Sequence, residues 1–297
     1  MLTDVLPTLM HAVVSRRWCV QQAGVEGTVV PRTFDTAAAA FKTLSADPSA
    51  SKVVFVKDVN GAGGLDIVCK QVSSLERYKL SPDAIIQEGA TDFALVDGRK
   101  WTIRAYVVVH GGRLYVSRHF NGFKHPSRYN PDADAADLEQ QHISNGNTNA
   151  HVKAKSFADV GGRLMGPSDL EDADVWTEAL VDATRQMAQM YEAMVAATAD
   201  DPYRYHIFGV DAIPRTSGTV QIIEVNPFPN LVAFEAQPGK GNPDLASCIK
   251  YSTEKVKMVA SVLRLLFGME TAASSKELAS VYTYERNGKE LANVHTC

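Results

Sequence analysis

The chain is poor in the residues that mark several common protein classes. Only four of its 297 residues are cysteine. Cys19, Cys69, Cys248 and Cys297 lie far apart and form no C-x-x-C, which argues against a disulfide framework or a zinc knuckle. Lysine and arginine (30) do not outnumber aspartate and glutamate (34), and the formal net charge is −4. The uniform basic surface that sequence-independent nucleic-acid binding requires is therefore missing. No apolar run approaches the ~18 residues of a membrane span, and Asp4, Pro7 and His11 interrupt the N-terminus where a secretory core would be continuous. There is no G-x-x-x-x-G-K-[ST] loop and no Ser-His-Asp or Cys-His set. The expectation is a cytoplasmic protein, with neither nucleic acid nor membrane as partner, that meets any anionic ligand locally.

What is present is ordinary globular composition, 45% apolar and 22% charged, enough to bury one large core or two coupled lobes. Residues 1–20 read as a short helix and residues 36–46 as another, capped by Asp35 or Thr36. Val53-Val-Phe-Val-Lys57 is a β-branched strand entering the glycine-rich run Asn60-Gly-Ala-Gly-Gly64, with strand signal again at Ile67-Val-Cys and Ile85-Ile-Gln. Residues 101–109 and 113–120 form a strand pair around His110-Gly-Gly. Residues 121–166 are polar and too long for an ordinary connector. Ser168 with Glu171 reads as a capping box before an amphipathic helix carrying Trp176, Leu180, Met187, Tyr191 and Met194. Residues 208–213 and 220–226 are two further strands, residues 245–267 a closing helix stopped by Gly268, and the last thirty residues a polar tail. The fold class is α+β with antiparallel hairpins. Four segments are expected: an N-terminal helical segment (1–50), a central lobe with the glycine loop (51–90), a C-terminal lobe with an acidic hairpin (91–270) and a tail (271–297).

Three groups of residues carry chemistry. Glu224 and Asn226 are two apart and share a strand face. If Ser217-Gly218 is a two-residue turn, Asp211 lies opposite Glu224. Opposed carboxylates on a half-buried face repel, and a hard divalent cation removes that cost; oxygen ligands favour magnesium, with manganese as the alternative. Lys57, followed by Gly61, Gly63 and Gly64, offers a point charge and backbone N–H groups to phosphates. Lys100, Thr102 and Arg104 share one face of a third strand, a row of cations suited to an anion. A three-residue turn at 110–112 places Arg118 opposite Arg104, and a two-residue turn places His119 there; the sequence leaves the register open. His142 in Gln140-Gln-His-Ile-Ser-Asn145 reads as a hydrogen-bonding loop histidine rather than a general base.

Taken in order, these pieces resemble the ATP-grasp signature of the tubulin-tyrosine-ligase-like family over roughly residues 30–231. Val54-Phe-Val-Lys57 is similar to its phosphate-lysine strand and Ile86-Gln-Glu-Gly89 to its adenine hinge. Gly98-Arg-Lys-Trp-Thr-Ile-Arg104 is similar to its Gly-Arg-Lys-Phe-Asp-Ile-Arg run, and His142-Ile-Ser-Asn145 to its His-Leu-Thr-Asn. Phe208-Gly-Val-Asp211 with Ile223-Glu-Val-Asn226 is similar to its metal hairpin. The resemblance implies an ATP-grasp fold of two lobes enclosing the nucleotide, and an ATP- and magnesium-dependent ligase joining a carboxylate to an amine through an acyl phosphate. It implies nucleotide contacts at Lys57, Gly61, Gly63, Gly64, Gln87, Glu88, Lys100, Ser144 and Asn145. It implies a metal on Asp211, Glu224 and Asn226, and catalytic arginines at Arg104 and Arg118. Thr102 departs from the family aspartate, and the short stretch before Lys57 leaves the N-terminal recognition domain reduced, so tubulin is not assured as substrate. An Asn-x-x-Pro stretch at Asn226-Pro-Phe-Pro229 keeps one alternative, an inositol-phosphate-like kinase on the same scaffold, and Thr102 with the reduced N-terminal domain keeps another, an inactive nucleotide-binding module.

Overall fold

A computed structural model describes residues 29–58, 67–125, 127–130, 142, 164–199, 201, 204–227, 229, 231, 245–269, 278–283, 285–286 and 289–290. The helix expected over residues 1–20 and the glycine run at 60–64 lie outside these residues, as do Ser144 and Asn145.

The smaller of two main sheets is a four-stranded layer in the order β1-β4-β2-β3. Its strands are β1 (Thr33–Phe34), β2 (Val53–Asp58), β3 (Ile67–Gln71) and β4 (Ala84–Glu88). Helix α1 (Ala37–Ala46) is capped by Thr36, whose side chain accepts from the Ala39 N–H. It buries Ala37, Ala40 and Leu44 against Val54, Val56, Ile86 and Leu75. Thr33 and Phe34 pair with Gln87 and Ile86, so residues from 33 onward belong to this sheet because α1 is the element that covers its apolar face.

The larger sheet runs β10-β9-β5-β6-β11, with β7 pairing both β5 and β8. Its strands are β5 (Trp101–His110), β6 (Arg113–Ser117), β7 (Asn121–Lys124), β8 (Leu164–Met165), β9 (Tyr205–Pro214), β10 (Val220–Asn226) and β11 (Leu278–Thr283). A short pair, β12 (Glu285–Arg286) and β13 (Lys289–Glu290), stands apart. The polar-tail reading is corrected here: β11 pairs with β6, and Leu278 is 1% exposed. Its alternating Leu-Ala-Ser-Val pattern is a half-buried edge strand hidden in a polar stretch.

Central strand β5 is buried on both faces. Ile103, Ala105, Val107 and Val109 face the core made with α2 (Ala173–Gln186) and α3 (Ala188–Ala199), through Leu180, Met187, Tyr191 and Val195. Tyr106 and Val108 face Met258, Val262 and Leu265 of α4 (Leu245–Leu266). The single helix read through Met194 breaks at Met187, and its start also differs. A 3-10 turn at Pro167–Asp169 precedes it, closed by Asp169 Oδ2 accepting from the Gly166 N–H at 2.8 Å. The Ser168/Glu171 capping box is therefore not formed: Pro167 pre-sets the turn, and the helix begins four residues later. Helix α4 ends as expected, with Gly268 at φ +66°, the left-handed stop that glycine tolerates.

Candidate functional site

The face of the larger sheet turned toward α4 carries a row of polar side chains. Pairing places Asn121 of β7 opposite Arg104 of β5, Arg104 opposite Asp211 of β9, and Asp211 opposite Glu224 of β10. Opposed residues in antiparallel strands point to the same face. Four adjacent strands thus present amide, guanidinium, carboxylate and carboxylate side by side. Asn226, two pairs along, faces Gly209.

The expected pairing of Asp211 with Glu224 is present but is reached by another route. The connection is a three-residue loop, since the Arg215 N–H donates to Thr219 O at 2.9 Å and Gly218 takes φ +77°. Val220 accordingly faces Pro214, one step out of the expected register, and a bulge between Ile222 and Glu224 restores it. The bulge also rephases the strand: Ile222 lies in the core, while Glu224 comes to the Asp211 face. Bulges near functional sites re-aim side chains in this manner.

At the turn of β5 and β6 the two-residue register holds. His110 pairs with Arg113, and Gly111 and Gly112 take φ +55° and +71°, the positive values a type I′ turn requires. Neither open alternative for Arg104 is realised, because β6 ends at Ser117 and β7 takes its place beside Arg104. The register that sets Arg118 beside Arg104, one of the two left open, is not formed: Arg118 Nη1 donates to Glu178 Oε1 of α2 at 3.0 Å, on the opposite side of the sheet. Arg104 instead grips Asp211 with two bonds, Nε to Oδ1 at 2.5 Å and Nη2 to Oδ2 at 2.7 Å. Gly209 makes room for this pair, since a Cβ there would stand 2.9 Å from Pro229 Cβ and 3.4 Å from Arg104 Cδ.

The two lysines come from different sheets. Lys57, 4% exposed on β2, donates Nζ to Gln87 Oε1 at 2.5 Å and to Ile223 O at 3.5 Å. The bulged residue of β10 is thus the acceptor that the smaller sheet reaches. Gln87 is 2% exposed. Beside Gln87, the Glu88 carboxylate is held by Arg32 at 2.6 and 2.8 Å, and the Ser51 N–H donates to it at 3.0 Å. That side chain ties the edge of the smaller sheet together.

Lys100 is boxed by aromatic rings, with Nζ 3.5 Å from the Phe93 centroid and 4.7 Å from the Tyr129 centroid. It donates to His142 Nδ1 at 2.7 Å. Burial pulls the ammonium down to about 7, and no carboxylate contacts it among the described residues. His142 falls to about 3 through burial and then the charge of Lys100, so it is a neutral acceptor and not a general base at neutral pH. On the Arg104 side of α4, Lys255 is 3% exposed and is brought to about 8 by burial and then by the positive charge of Arg104. Glu254 accepts from His119 Nδ1 and from Lys257, both at 2.9 Å. Sequence reasoning missed Phe93, Tyr129, Asn121 and Lys255, because none stands at a telling spacing from the motifs; only the closed fold brings them in.

A groove of about 870 Å³ lies elsewhere, between α2 and the β9–β10 loop, lined by Val175, Ala179, Asp182 and Thr219 among others. It has a larger volume but none of the residues of the row. Among the described residues no three His, Cys, Asp or Glu side chains gather as a metal cluster. The donor set in the row is two carboxylates with the Asn226 amide, hard oxygen ligands that fit magnesium or manganese. The buried Lys100 ammonium, met among the described residues by rings and an imidazole, suits a phosphate. Among the described residues, no helix is long and apolar enough to cross a membrane.

Comparison with curated proteins returned no match. The model of the tubulin-tyrosine ligase family matches residues 8–240, a span that takes in both lysines, the row of Arg104, Asp211 and Glu224, and the bulge that aligns them. The chain belongs to the tubulin-tyrosine ligase family of the ATP-grasp superfamily, a family of ATP-dependent ligases.

Proposed function

We propose that the protein joins a carboxylate to an amine at the Arg104–Asp211–Glu224 row, using ATP and magnesium. The observation that carries this reading is the row itself: a guanidinium and two carboxylates aligned across three strands, on the sheet face that also bears Lys100. Lys57 and Lys100 bind the nucleotide phosphates as point charges. Asp211, Glu224 and Asn226 would hold magnesium, which would neutralise phosphate charge. Arg104 orients the substrate carboxylate with its planar fork. The carboxylate oxygen attacks the γ-phosphorus and the bond to the β-phosphate oxygen breaks, giving ADP and an acyl phosphate. The amine then attacks the acyl carbon, loses its proton, and phosphate departs with the C–O electron pair. Lys100 and Arg104 stay in place through both steps, so their contribution is positioning and charge stabilisation. An amino acid, peptide or protein tail supplies the carboxylate or the amine.

Glu224→Gln removes one metal charge at nearly constant volume. Turnover is expected to fall at least about a hundredfold, by analogy with removal of one preorganised electrostatic contact, with the melting temperature unchanged. ADP release is measured against panels of amino acids and acidic peptides, and the parent should release ADP only when carboxylate and amine are both present. Near-parent turnover of the variant refutes the metal assignment, while ADP release with a hydroxyl acceptor alone points to a kinase.

A further inference from the structure

Asn121 is fully buried, at 0% exposure, and among the described residues neither its Nδ2 nor its Oδ1 has a hydrogen-bond partner. A buried amide left this way is costly and calls for an explanation. Its place is informative, because it stands opposite Arg104 on the side away from Asp211. At present Arg104 spends two of its donors on Asp211, a carboxylate that the function proposed above assigns to a divalent cation. A guanidinium and a divalent ion on one carboxylate repel each other, and the ion has the stronger claim on hard oxygen. Arg104 must then turn elsewhere. On the α4 side it meets the positive charge of Lys255; along the row its neighbour is the uncharged Asn121, whose Cβ stands about 5 Å from that of Arg104 by the spacing of opposed residues.

Resting on that metal reading, we propose that Asn121 is a positioning residue that receives the Arg104 guanidinium through Oδ1 when Asp211 passes to the metal. The fork keeps its other donors for the substrate carboxylate, and Asn121 Nδ2 remains a donor suited to the same anion. The row works as an exchange: metal on one side of Arg104, amide on the other.

The test is a double-mutant cycle read on metal binding, with Mn2+ titrated by electron paramagnetic resonance in the presence of saturating β,γ-methylene ATP. Asn121→Leu removes both polar atoms at similar volume. It should weaken Mn2+ binding roughly tenfold, the value of one hydrogen bond to a charged group. In an Arg104→Ala background, where no guanidinium needs a second acceptor, the same change should shift Mn2+ affinity by less than about twofold. The melting temperature of Asn121→Leu should not fall, since an unpartnered amide is lost. If that variant does not fold, Asn121→Ala replaces it in the cycle. Equal shifts in both backgrounds, or none in the parent, overturn the proposal. A parent that binds no Mn2+, or an Asp211→Asn variant that binds it as well as the parent, overturns the metal reading and this one with it.

Discussion

At Lys100 an ammonium group rests on two aromatic faces and an imidazole nitrogen, with burial holding it down to about 7. The aromatic quadrupoles return part of the lost hydration but supply no full countercharge. Its ordinary value of 10.5 applies to the unfolded chain, so between pH 7 and 10.5 the unfolded state holds more protons. The sign follows: this group makes the ligand-free protein more stable as pH rises through that window. Nucleotide binding runs the other way, because a phosphate favours the charged form. At pH 8, where roughly nine in ten free molecules have lost this proton, MgATP should bind with uptake of nearly one proton. Calorimetry in buffers of different ionisation enthalpy reads that uptake directly, and Lys100→Met should abolish it. Proton uptake unchanged in Lys100→Met would remove Lys100 from the phosphate site.

Two hairpins on the larger sheet set the geometry at the scale of elements. The β5–β6 turn is short and places Arg118 against Glu178 on the α2 side. The β9–β10 loop is one residue longer than expected, and the bulge at Ile223 compensates it, so that Asp211 and Glu224 still meet. Gly209 in β9 allows the chain after Asn226 to close over the row, with Pro229 packed where a Cβ would clash at 2.9 Å. Gly209→Ala forces Pro229 or the Arg104 side chain aside. The expected cost is about 1–3 kcal/mol of stability, as for other overpacked sites, read by chemical denaturation. Turnover should fall more than MgATP affinity, because the crowded group is Arg104 and not the lysines. A variant with parental stability and activity would show that Pro229 moves away freely.

On the scale of the whole molecule, the smaller sheet touches the larger one through Lys57, which reaches Ile223 O across 166 positions of chain. A nucleotide held by Lys57 and Lys100 would join groups from both sheets, and ligand binding to the native state adds stability by mass action. At about a hundred times Kd the gain is ~2.7 kcal/mol, a rise in melting temperature of about 4 °C for a chain of this size. Scanning calorimetry with MgATP checks it, and Lys57→Ala should lose most of the rise. A rise unaffected by that substitution would place the nucleotide elsewhere. The sequence by itself determined the α+β class, the strands bearing Lys57, Arg104, Asp211 and Glu224, and the glycine stop after α4, because period-2 alternation and turn chemistry are local properties. Only the tertiary structure decided the loop length and bulge before Glu224, the face taken by Arg118, the strand in the polar C-terminal stretch, and the meeting of Asn121, Phe93, Tyr129 and Lys255 with the motif residues. These depend on which side of a sheet a helix covers and which strand pairs at each step. Such pairings join residues up to a hundred or more positions apart, and no local pattern specifies them.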